Sequence, residues 1–420
     1  MERTILHCDC NSFFASVECV DYPSYRNVPM AVAGDVEARH GIILAKNELA
    51  KQYGIKTAET VWSAKQKCKD LVLVPPHYEK YAYFSGMVRR IYERYTDLVE
   101  PFGMDEAWLD VTNSRALFGD GYQIAESIRK AVKEELGITV SVGVSFNKIF
   151  AKLGSDYKKP DAVTVISREN YKDIVYPLPV DSLLFIGKQT ALSLASCNIR
   201  TIGELAATSP AFLRSRFGKV GDLLFSYANG EENSPVASIY QKEDAKSVGN
   251  GITFRHDITT KAEWKLALYS LSEDVAYRLR KQGMVCSTVS VTVKTPMLKT
   301  FSRQKPISPP TDISREIAAK ALEILESSFS VGSPIRMLTI TAMSLARKDT
   351  LTEQIGFFDQ EDVEKREKAS RLEDTVDGIR SRYGHGAMVL GSTLGNTIGI
   401  EEGAAKRRQK GKQSESDDKK

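Results

Sequence analysis

The chain has 420 residues, of which 42% are hydrophobic and 27% are charged, and its formal net charge at pH 7 is +4. This length allows two to four domains with buried cores, and the composition is that of an ordinary globular protein. A net charge this small does not single out a nucleic-acid partner, so any basic surface must be local.

Six cysteines are scattered along the chain, without a CxxC pair and without a histidine at zinc-ligand spacing. The pattern excludes the usual zinc motifs and favours thiols that act as small core residues in a reducing cytosol. The N-terminal stretch MERTILHCDC has too short an apolar run for a signal peptide, and no segment is long enough to span a bilayer. We therefore expect a cytoplasmic protein with no membrane partner.

Strands and helices alternate over roughly the first 165 residues, which predicts an α/β or α+β domain. A buried strand in RTILHCD precedes a helix in NSFFASVECV and a second strand in VPMAVAGD. An amphipathic helix is predicted from Tyr78 to Tyr95. A later helix has one apolar stripe, formed by Ile124, Ile128, Val132 and Leu136.

Two adjacent acids, Asp105 and Glu106, interrupt the stretch EPFGMDEAWLDVT, which otherwise has the pattern of a strand. Buried carboxylates repel each other unless a cation lies between them. Two interpretations are therefore open: a hairpin turn that faces water, or a metal site. Asp9 ends the first predicted strand and could meet the pair at one sheet edge. Oxygen ligands without His or Cys favour Mg²⁺.

From about residue 170 to 227 the pattern is helical in short segments, and the polar residues 229–250 are predicted to form a linker. A second α/β unit follows. In its strand STVSVTVKT, valines alternate with Thr288, Ser290, Thr292 and Lys294, which predicts a core face and a face of hydroxyls with one cation. After Asp349 we expect an apolar peptide, a charged helix and a disordered tail.

The segments DCNSFFASVE and GMDEAWLDVT lie about ninety residues apart, and together they resemble the Y-family, translesion DNA polymerases. That family carries the patterns D-x-[DN]-x-[FY]-[FY]-x-x-V-E and S-[IML]-D-E-[AV]-[YFW]-x-D. The resemblance continues through VGVSFNKIFAKLGSDYKKPDAV and covers about residues 1–350. It is nearest to the bacterial polymerase IV and V branches, and Asn11, where polymerase IV-like members usually have Asp, leans towards polymerase V.

The resemblance implies an α+β right-hand polymerase whose palm is a mixed sheet with helices. Its thumb would be helical, with a helix-hairpin-helix, and its little finger α/β. We expect these boundaries: palm 1–10 and 78–167, fingers 11–77, thumb 168–230, linker 231–246, little finger 247–348, and 349–420 for a clamp-binding peptide, charged helix and disordered tail.

The resemblance also implies that Asp9, Asp105 and Glu106 are catalytic and bind two Mg²⁺ ions, with help from the backbone carbonyl of Cys10. Phe14 matches the steric gate, whose ring leaves no room for a ribose 2′-hydroxyl, and Phe13 lies beside it in the nucleotide site. From the residues alone, both rings could instead be core anchors of their helix.

Further contacts follow from motif positions. Lys51 and Lys159 would bind the triphosphate, although relatives have Arg at the position of Lys51 and Tyr at that of Glu48. In the hairpin of the thumb, Gly187 and Lys188 would contact DNA phosphate, although Phe185 replaces the usual first glycine. In the little finger, the hydroxyl face of the sheet would hold the DNA backbone through four cations, Lys294, Lys299, Arg303 and Lys305.

The peptide QIGFF resembles the Q-L-x-L-F peptide by which bacterial polymerases bind the β sliding clamp. Its contact residues would be Gln354, Ile355, Phe357 and Phe358. The predicted function is template-directed DNA synthesis in damage tolerance, by a monomer that uses primer-template DNA and dNTPs. The alternatives are a non-catalytic DNA- and clamp-binding protein, or a palm-fold nucleotide cyclase.

Overall fold

The structure is a computed structural model that describes residues 2–400 except 37, 38, 40, 242, 243, 351–359 and 390. The chain divides into two compact units, Met1–Gly34 with Gly41–Lys242 and Asp35–His40 with Glu243–Lys420. The predicted α+β class is confirmed. In the described part of the chain, no helix is long and apolar enough to cross a membrane.

The first unit combines two sheets with helices. Its strands are β1 (Ile5–Cys10), β2 (Met30–Ala33), β3 (Ile43–Lys46), β4 (Val72–Val74), β5 (Val99–Phe102), β6 (Glu106–Asp110), β7 (Val140–Ser145) and β8 (Val163–Ile166). Its helices are α1 (Phe13–Asp21), α2 (Glu48–Gln52), α3 (Val61–Lys67), α4 (Tyr78–Tyr92), α5 (Arg115–Phe118), α6 (Gly121–Leu136), α7 (Lys148–Tyr157), α8 (Tyr171–Val175), α9 (Lys188–Ala195), α10 (Ile202–Ala207), α11 (Pro210–Phe217) and α12 (Lys219–Ala228).

The larger sheet has the strand order β5-β6-β1-β7-β8, with β1 antiparallel to both of its neighbours. Every residue of β1 and β7 is buried, as expected for central strands that are covered on both faces. The predicted stripe of α6 lies in the core at Ile124, Ile128 and Val132, whereas Leu136 is only partly buried at the helix end. The amphipathic helix α4 ends at Tyr92, three residues earlier than predicted.

The smaller sheet has the order β3-β2-β4, and β2 pairs parallel to β4. The strand β4 was not predicted, because three residues are too few to establish a period. The short helical segments predicted for residues 170–227 are present as α8–α12, and they surround a separate core. The first half of the expected linker packs on this unit, where Val236 is buried and the Ile239 amide donates to the Asp97 carbonyl.

The second unit contains an antiparallel sheet of order β11-β10-β12-β9. Its elements are β9 (Ser247–Ile258), α13 (Lys261–Lys281), β10 (Met284–Lys294), β11 (Thr300–Thr311), α14 (Ser314–Ser328), β12 (Ile335–Arg347) and α15 (Gln360–Tyr383). We did not predict β9, because Gly249 and Gly251 break its alternation. These glycines lie opposite Thr341 and Thr339, and a Cβ at Gly251 would lie 2.3 Å from the Thr339 hydroxyl oxygen.

The strand β10 has the predicted core face, because its alternating valines are buried against α13 and α14. The expectation that four cations lie on the hydroxyl face is wrong for two of them. Arg303 and Lys305 lie opposite Val291 and Val289, so their side chains share the helix-covered face. Consistent with this, Lys305 Nζ is 3.0 Å from a carboxylate oxygen of Glu323 on α14.

The predicted charged helix is present as α15 and is fixed to the second unit by ion pairs. Arg280 on α13 lies 2.6 Å from Glu373 and 2.7 Å from Asp377. Beyond the helix, Ile398 is only 1% exposed in the core of this unit. The predicted clamp-binding residues Gln354, Ile355, Phe357 and Phe358 and the predicted tail 401–420 lie outside the described residues.

Candidate active site

The three predicted carboxylates meet at one end of the larger sheet. Asp9 on β1 and Glu106 on β6 are opposite each other in the antiparallel register. Asp105 immediately precedes β6, and its carbonyl accepts a hydrogen bond of 3.0 Å from the Cys10 amide. The turn before it contains Gly103 at φ +86°, a left-handed conformation that favours glycine and explains why this chain tolerates glycine there.

Lysines neutralise two of these acids. Lys159 Nζ lies 2.7 Å from Asp9 Oδ2 and 2.7 Å from Asp156 Oδ1. Lys152 on α7 forms an ion pair with Glu106. Lys159 was predicted from the sequence and Lys152 was not, although both belong to the segment that resembles the polymerase motif. Of the adjacent acids Asp105 and Glu106, only Glu106 has a lysine as its ion-pair partner among these contacts.

His7 on β1 also faces Glu106, and the sequence analysis did not identify it. Its buried Nε2 lies 3.2 Å from Glu106 Oε2, without a well-aligned hydrogen bond, while Nδ1 lies 2.8 Å from the Ser155 hydroxyl. Burial lowers the pKa of His7. The signal for His7 was its position two residues before Asp9 on the same strand, which places both side chains on one face.

The acids differ in their electrostatics. Burial raises the pKa of Asp9 to about 6, since it outweighs the attraction of Lys159, and repulsion from Glu106 adds to the increase. Burial and repulsion from Glu106 likewise raise the pKa of Asp105. Burial also acts to raise the pKa of Glu106, but the contacts with His7 and Lys152 outweigh it and lower this pKa to about 2. Additional positive charge would therefore stabilise the charged forms of Asp9 and Asp105.

The donor chemistry of these residues fits a hard divalent cation, because the side chains offer only carboxylate oxygens. The Cys10 thiol is buried and its pKa is raised by burial, so only the backbone carbonyl of Cys10 would serve as a ligand. Among the described residues, no three His, Cys, Asp or Glu side chains are close enough together to hold a metal as they stand.

The two phenylalanines of the motif have different surroundings. Phe13 is buried in the core of the unit, in agreement with the interpretation as a core anchor. Phe14 is partly exposed, and its ring stacks on Tyr81 with centroids 4.2 Å apart and planes inclined by 12°. Phe14 is therefore the ring of this pair that remains accessible to a substrate.

The residues around the expected triphosphate position form a polar group. Lys51 Nζ lies 2.6 Å from Glu48 Oε1, and the Ser12 hydroxyl donates to the same oxygen at 3.3 Å. A cavity of about 550 Å³ borders Ser12, Glu48 and Asn11. Asn11 uses both ends of its amide, because it donates to the Ser141 hydroxyl and accepts from the Asp161 amide, each at 2.8 Å.

The segment of the expected helix-hairpin-helix contains a turn at residues 183–187, followed by α9 and α10. Gly187 caps the N-terminus of α9 and Lys188 is its first residue. Phe185, at the position where the family pattern predicted glycine, adopts φ +70°, a left-handed conformation that is uncommon for a residue with a side chain. Its exposed ring lies 6.2 Å from that of Tyr227.

Two family models match the chain: the impB/mucB/samB family over residues 8–156, and the C-terminal domain of that family over residues 245–357. A DNA polymerase IV of Acetivibrio thermocellus is 47% identical over 94% of this chain and 98% of its own length. Another, from Clostridium kluyveri, is 35% identical over 94% of this chain and 99% of its own length.

The fold also matches a solved structure, the Y-family DNA polymerase chimera Dbh-Dpo4(243-245)-Dbh, with a TM-score of 0.71. That match has 23% sequence identity and covers 81% of this chain and 98% of the chimera chain. Both of these relatives are named DNA polymerase IV. They therefore give no support to the expectation, based on Asn11, that the chain is nearer to the polymerase V branch.

Proposed function

The chain belongs to the impB/mucB/samB family, that of the Y-family DNA polymerases, and on this premise we propose how its residues carry out DNA synthesis. It is a DNA-directed DNA polymerase of the translesion type, which extends a primer on a template with dNTPs. The roles of its parts and residues, given next, are our proposal.

We assign residues 1–10 and 78–167 to the palm, 11–77 to the fingers, 168–230 to the thumb and 247–348 to the little finger. The larger sheet supports the palm assignment, because it carries the acidic site. The buried Val236 indicates that the first part of the linker 231–246 stays with the first unit. The C-terminal 349–420 contributes α15 and buried Ile398 to the second unit, in addition to the proposed clamp peptide.

Asp9, Asp105, Glu106 and the carbonyl of Cys10 would hold two Mg²⁺ ions. When bound, such ions activate the primer 3′-hydroxyl and stabilise the pyrophosphate leaving group. The strand register supports this role, since it places Asp9 opposite Glu106, next to Asp105. The raised pKa of Asp9 and that of Asp105 support it too, because a buried carboxylate favours a nearby cation.

The remaining side chains would position the nucleotide and keep the acids ionised. Lys159 and Lys51 would bind phosphate oxygens as point charges. In the absence of a triphosphate, Glu48 would pair with the ammonium group of Lys51. Lys152 and His7 would keep Glu106 ionised. The accessible ring of Phe14 would lie under the sugar and exclude a 2′-hydroxyl, whereas Phe13 would support it from the core.

DNA would be held at two places by its backbone. In the thumb, Gly187 and Lys188 offer the N-terminal amides and a cation of α9 to a phosphate. In the little finger, Lys294 with the neighbouring hydroxyls would contact phosphate, and Lys299 in the β10–β11 turn would extend that contact. Arg303 and Lys305 lie towards the other face and would contribute less.

The peptide with Gln354, Ile355, Phe357 and Phe358 would bind a β sliding clamp by placing apolar side chains in a pocket. Its position between β12 and α15 supports an internal attachment point. We propose that the polymerase acts as a monomer.

The observation that carries the proposal is the cross-strand placement of Asp9 and Glu106 beside Asp105. It is tested by primer extension with purified protein, templated duplex, dNTPs and Mg²⁺. Extension that is templated, Mg²⁺-dependent and lost in Glu106→Gln is expected. Duplex binding without extension would favour the non-catalytic alternative, and cyclic nucleotide formation would favour the cyclase.

A further inference from the structure

The ring of Phe14 is supported by a buried tyrosine from another helix. Tyr81 on α4 is fully buried, and its ring lies face to face with that of Phe14, with centroids 4.2 Å apart. Tyr78, one turn earlier on α4, contacts the edge of Phe14, with centroids 5.9 Å apart and planes at 90°. The orientation of Phe14 is therefore set by α4 as well as by its own helix.

Tyr81 is in turn fixed by a buried acid. Its hydroxyl donates to Glu18 Oε1 at 2.5 Å, and Glu18 is completely buried. The other donors to this carboxylate are His77 Nδ1 at 2.8 Å and Lys80 Nζ at 3.4 Å. A buried carboxylate is stable only when its hydrogen bonds are satisfied, so this group of side chains tolerates little displacement.

The two attachments of Tyr81 lie on the same helix. Phe14 and Glu18 are four residues apart on α1, so their side chains project from the same side of that helix. Tyr81 stacks on the first and hydrogen-bonds to the second. This two-point contact fixes the ring of Phe14 relative to both α1 and α4.

We propose that Tyr81 and Glu18 are positioning residues for sugar selection, an inference that rests on the proposed role of Phe14 as the steric gate. A gate must exclude a single oxygen atom, so a small displacement of its ring decides between dNTP and rNTP. Tyr81 and Glu18 act through Phe14 and do not themselves contact the nucleotide.

The test is the ratio of kcat/KM for a dNTP to that for the matching rNTP. Tyr81→Leu removes the stacking ring, and Tyr81→Phe removes only the hydroxyl. Loss of a hydrogen bond to a charged group is expected to lower the ratio about tenfold in Tyr81→Phe, with a larger loss in Tyr81→Leu. Glu18→Gln keeps an acceptor for the tyrosine and should retain more selectivity than Glu18→Ala. The matched control is Tyr83→Phe, because Tyr83 is exposed on the same helix.

The outcomes separate this inference from the proposed function. Phe14→Ala should lower the ratio about 100-fold, the discrimination that shape alone gives for an added hydroxyl. If Phe14→Ala lowers the ratio and both Tyr81 variants keep it, the positioning role is wrong and the gate stands. If Phe14→Ala leaves the ratio unchanged, the assignment of Phe14 as the steric gate is wrong.

Equal losses of kcat/KM for dNTP and rNTP in Tyr81→Phe would indicate a merely structural role for Tyr81 and overturn the inference. Should Tyr81→Leu fail to fold, Tyr81→Phe and Glu18→Gln decide alone.

Discussion

Asp9 and Glu106 face each other across the antiparallel pair β1–β6, and each carboxylate is bound by a different lysine of the same segment of chain. Lys152 and Lys159 are seven residues apart, the first in the middle of α7 and the second just beyond its C-terminus. The arrangement holds two like charges close together in a partly buried site, because each has a lysine as its counter-ion.

Removal of the acidic charge should abolish synthesis and leave DNA binding nearly unchanged. We expect Asp105→Asn and Glu106→Gln each to lower the rate of primer extension by at least about 100-fold, because charge stabilisation in the transition state is lost. Extension assays and duplex binding by fluorescence anisotropy measure the two effects. Glu135→Gln, at an exposed acid on α6, is the control, and wild-type extension by either active-site variant would contradict the assignment.

Lys159 should contribute to nucleotide binding more than Lys51 does. Lys159 already bridges Asp9 and Asp156, whereas Lys51 pairs with Glu48 on an exposed helix. We expect Lys159→Ala to lower kcat/KM for dNTP by about 10- to 100-fold, and Lys51→Ala by less than tenfold, because exposed pairs contribute little. Steady-state kinetics at fixed primer-template concentration measure both, and the reverse order would disprove the ranking.

The two faces of the little-finger sheet predict different effects for two lysines. Lys294→Ala should weaken duplex binding and reduce the slope of log K against log salt by about 1, because one phosphate contact is lost. Lys305→Ala should leave that slope unchanged, because Lys305 pairs with Glu323 on the helix-covered side. Duplex binding is measured at several salt concentrations. Equal slopes for the two variants would contradict the prediction that only the hydroxyl face contacts phosphate.

The clamp-binding peptide should be separable from synthesis. Alanine at Gln354, Phe357 and Phe358 is expected to abolish pull-down by a purified β sliding clamp and to leave clamp-free extension at the wild-type rate. The apolar side chains supply the binding energy, and none belongs to the acidic site. Clamp capture that survives the triple substitution would place the attachment point elsewhere. Point substitutions are needed here, because truncation would remove Ile398 as well.

The segment after α15 should stabilise the second unit. Ile398 is 1% exposed and packs in the core formed by the sheet and its helices. We expect Ile398→Ala to lower the free energy of unfolding by about 2–5 kcal/mol, which is the usual effect of removing a buried isoleucine side chain. Denaturant titration of the full chain measures it. Val331→Ala, at an exposed residue, is the control and should change the stability by less than about 0.5 kcal/mol.

The sequence by itself determined most of the strands and helices, because they depend on local periodicity. Motifs in fixed order determined the family, and through it the α+β class that periodicity had left open against α/β. The strands β4 and β9 were not predicted from the sequence. The first is too short to show a period, and the second contains glycines that make room for threonines of β12.

Only the tertiary structure decided which side chains meet. The ion pair of Lys152 with Glu106, the location of Lys305 on the helix-covered face and the contact of Tyr81 with Glu18 join residues that are 18 to 63 positions apart. Such contacts depend on strand register and helix packing, which no local pattern fixes. The adjacent acids Asp105 and Glu106 show the division clearly: the sequence left open a turn that faces water or a cation beside them, and the fold placed Lys152 against Glu106 and Lys159 against the neighbouring Asp9.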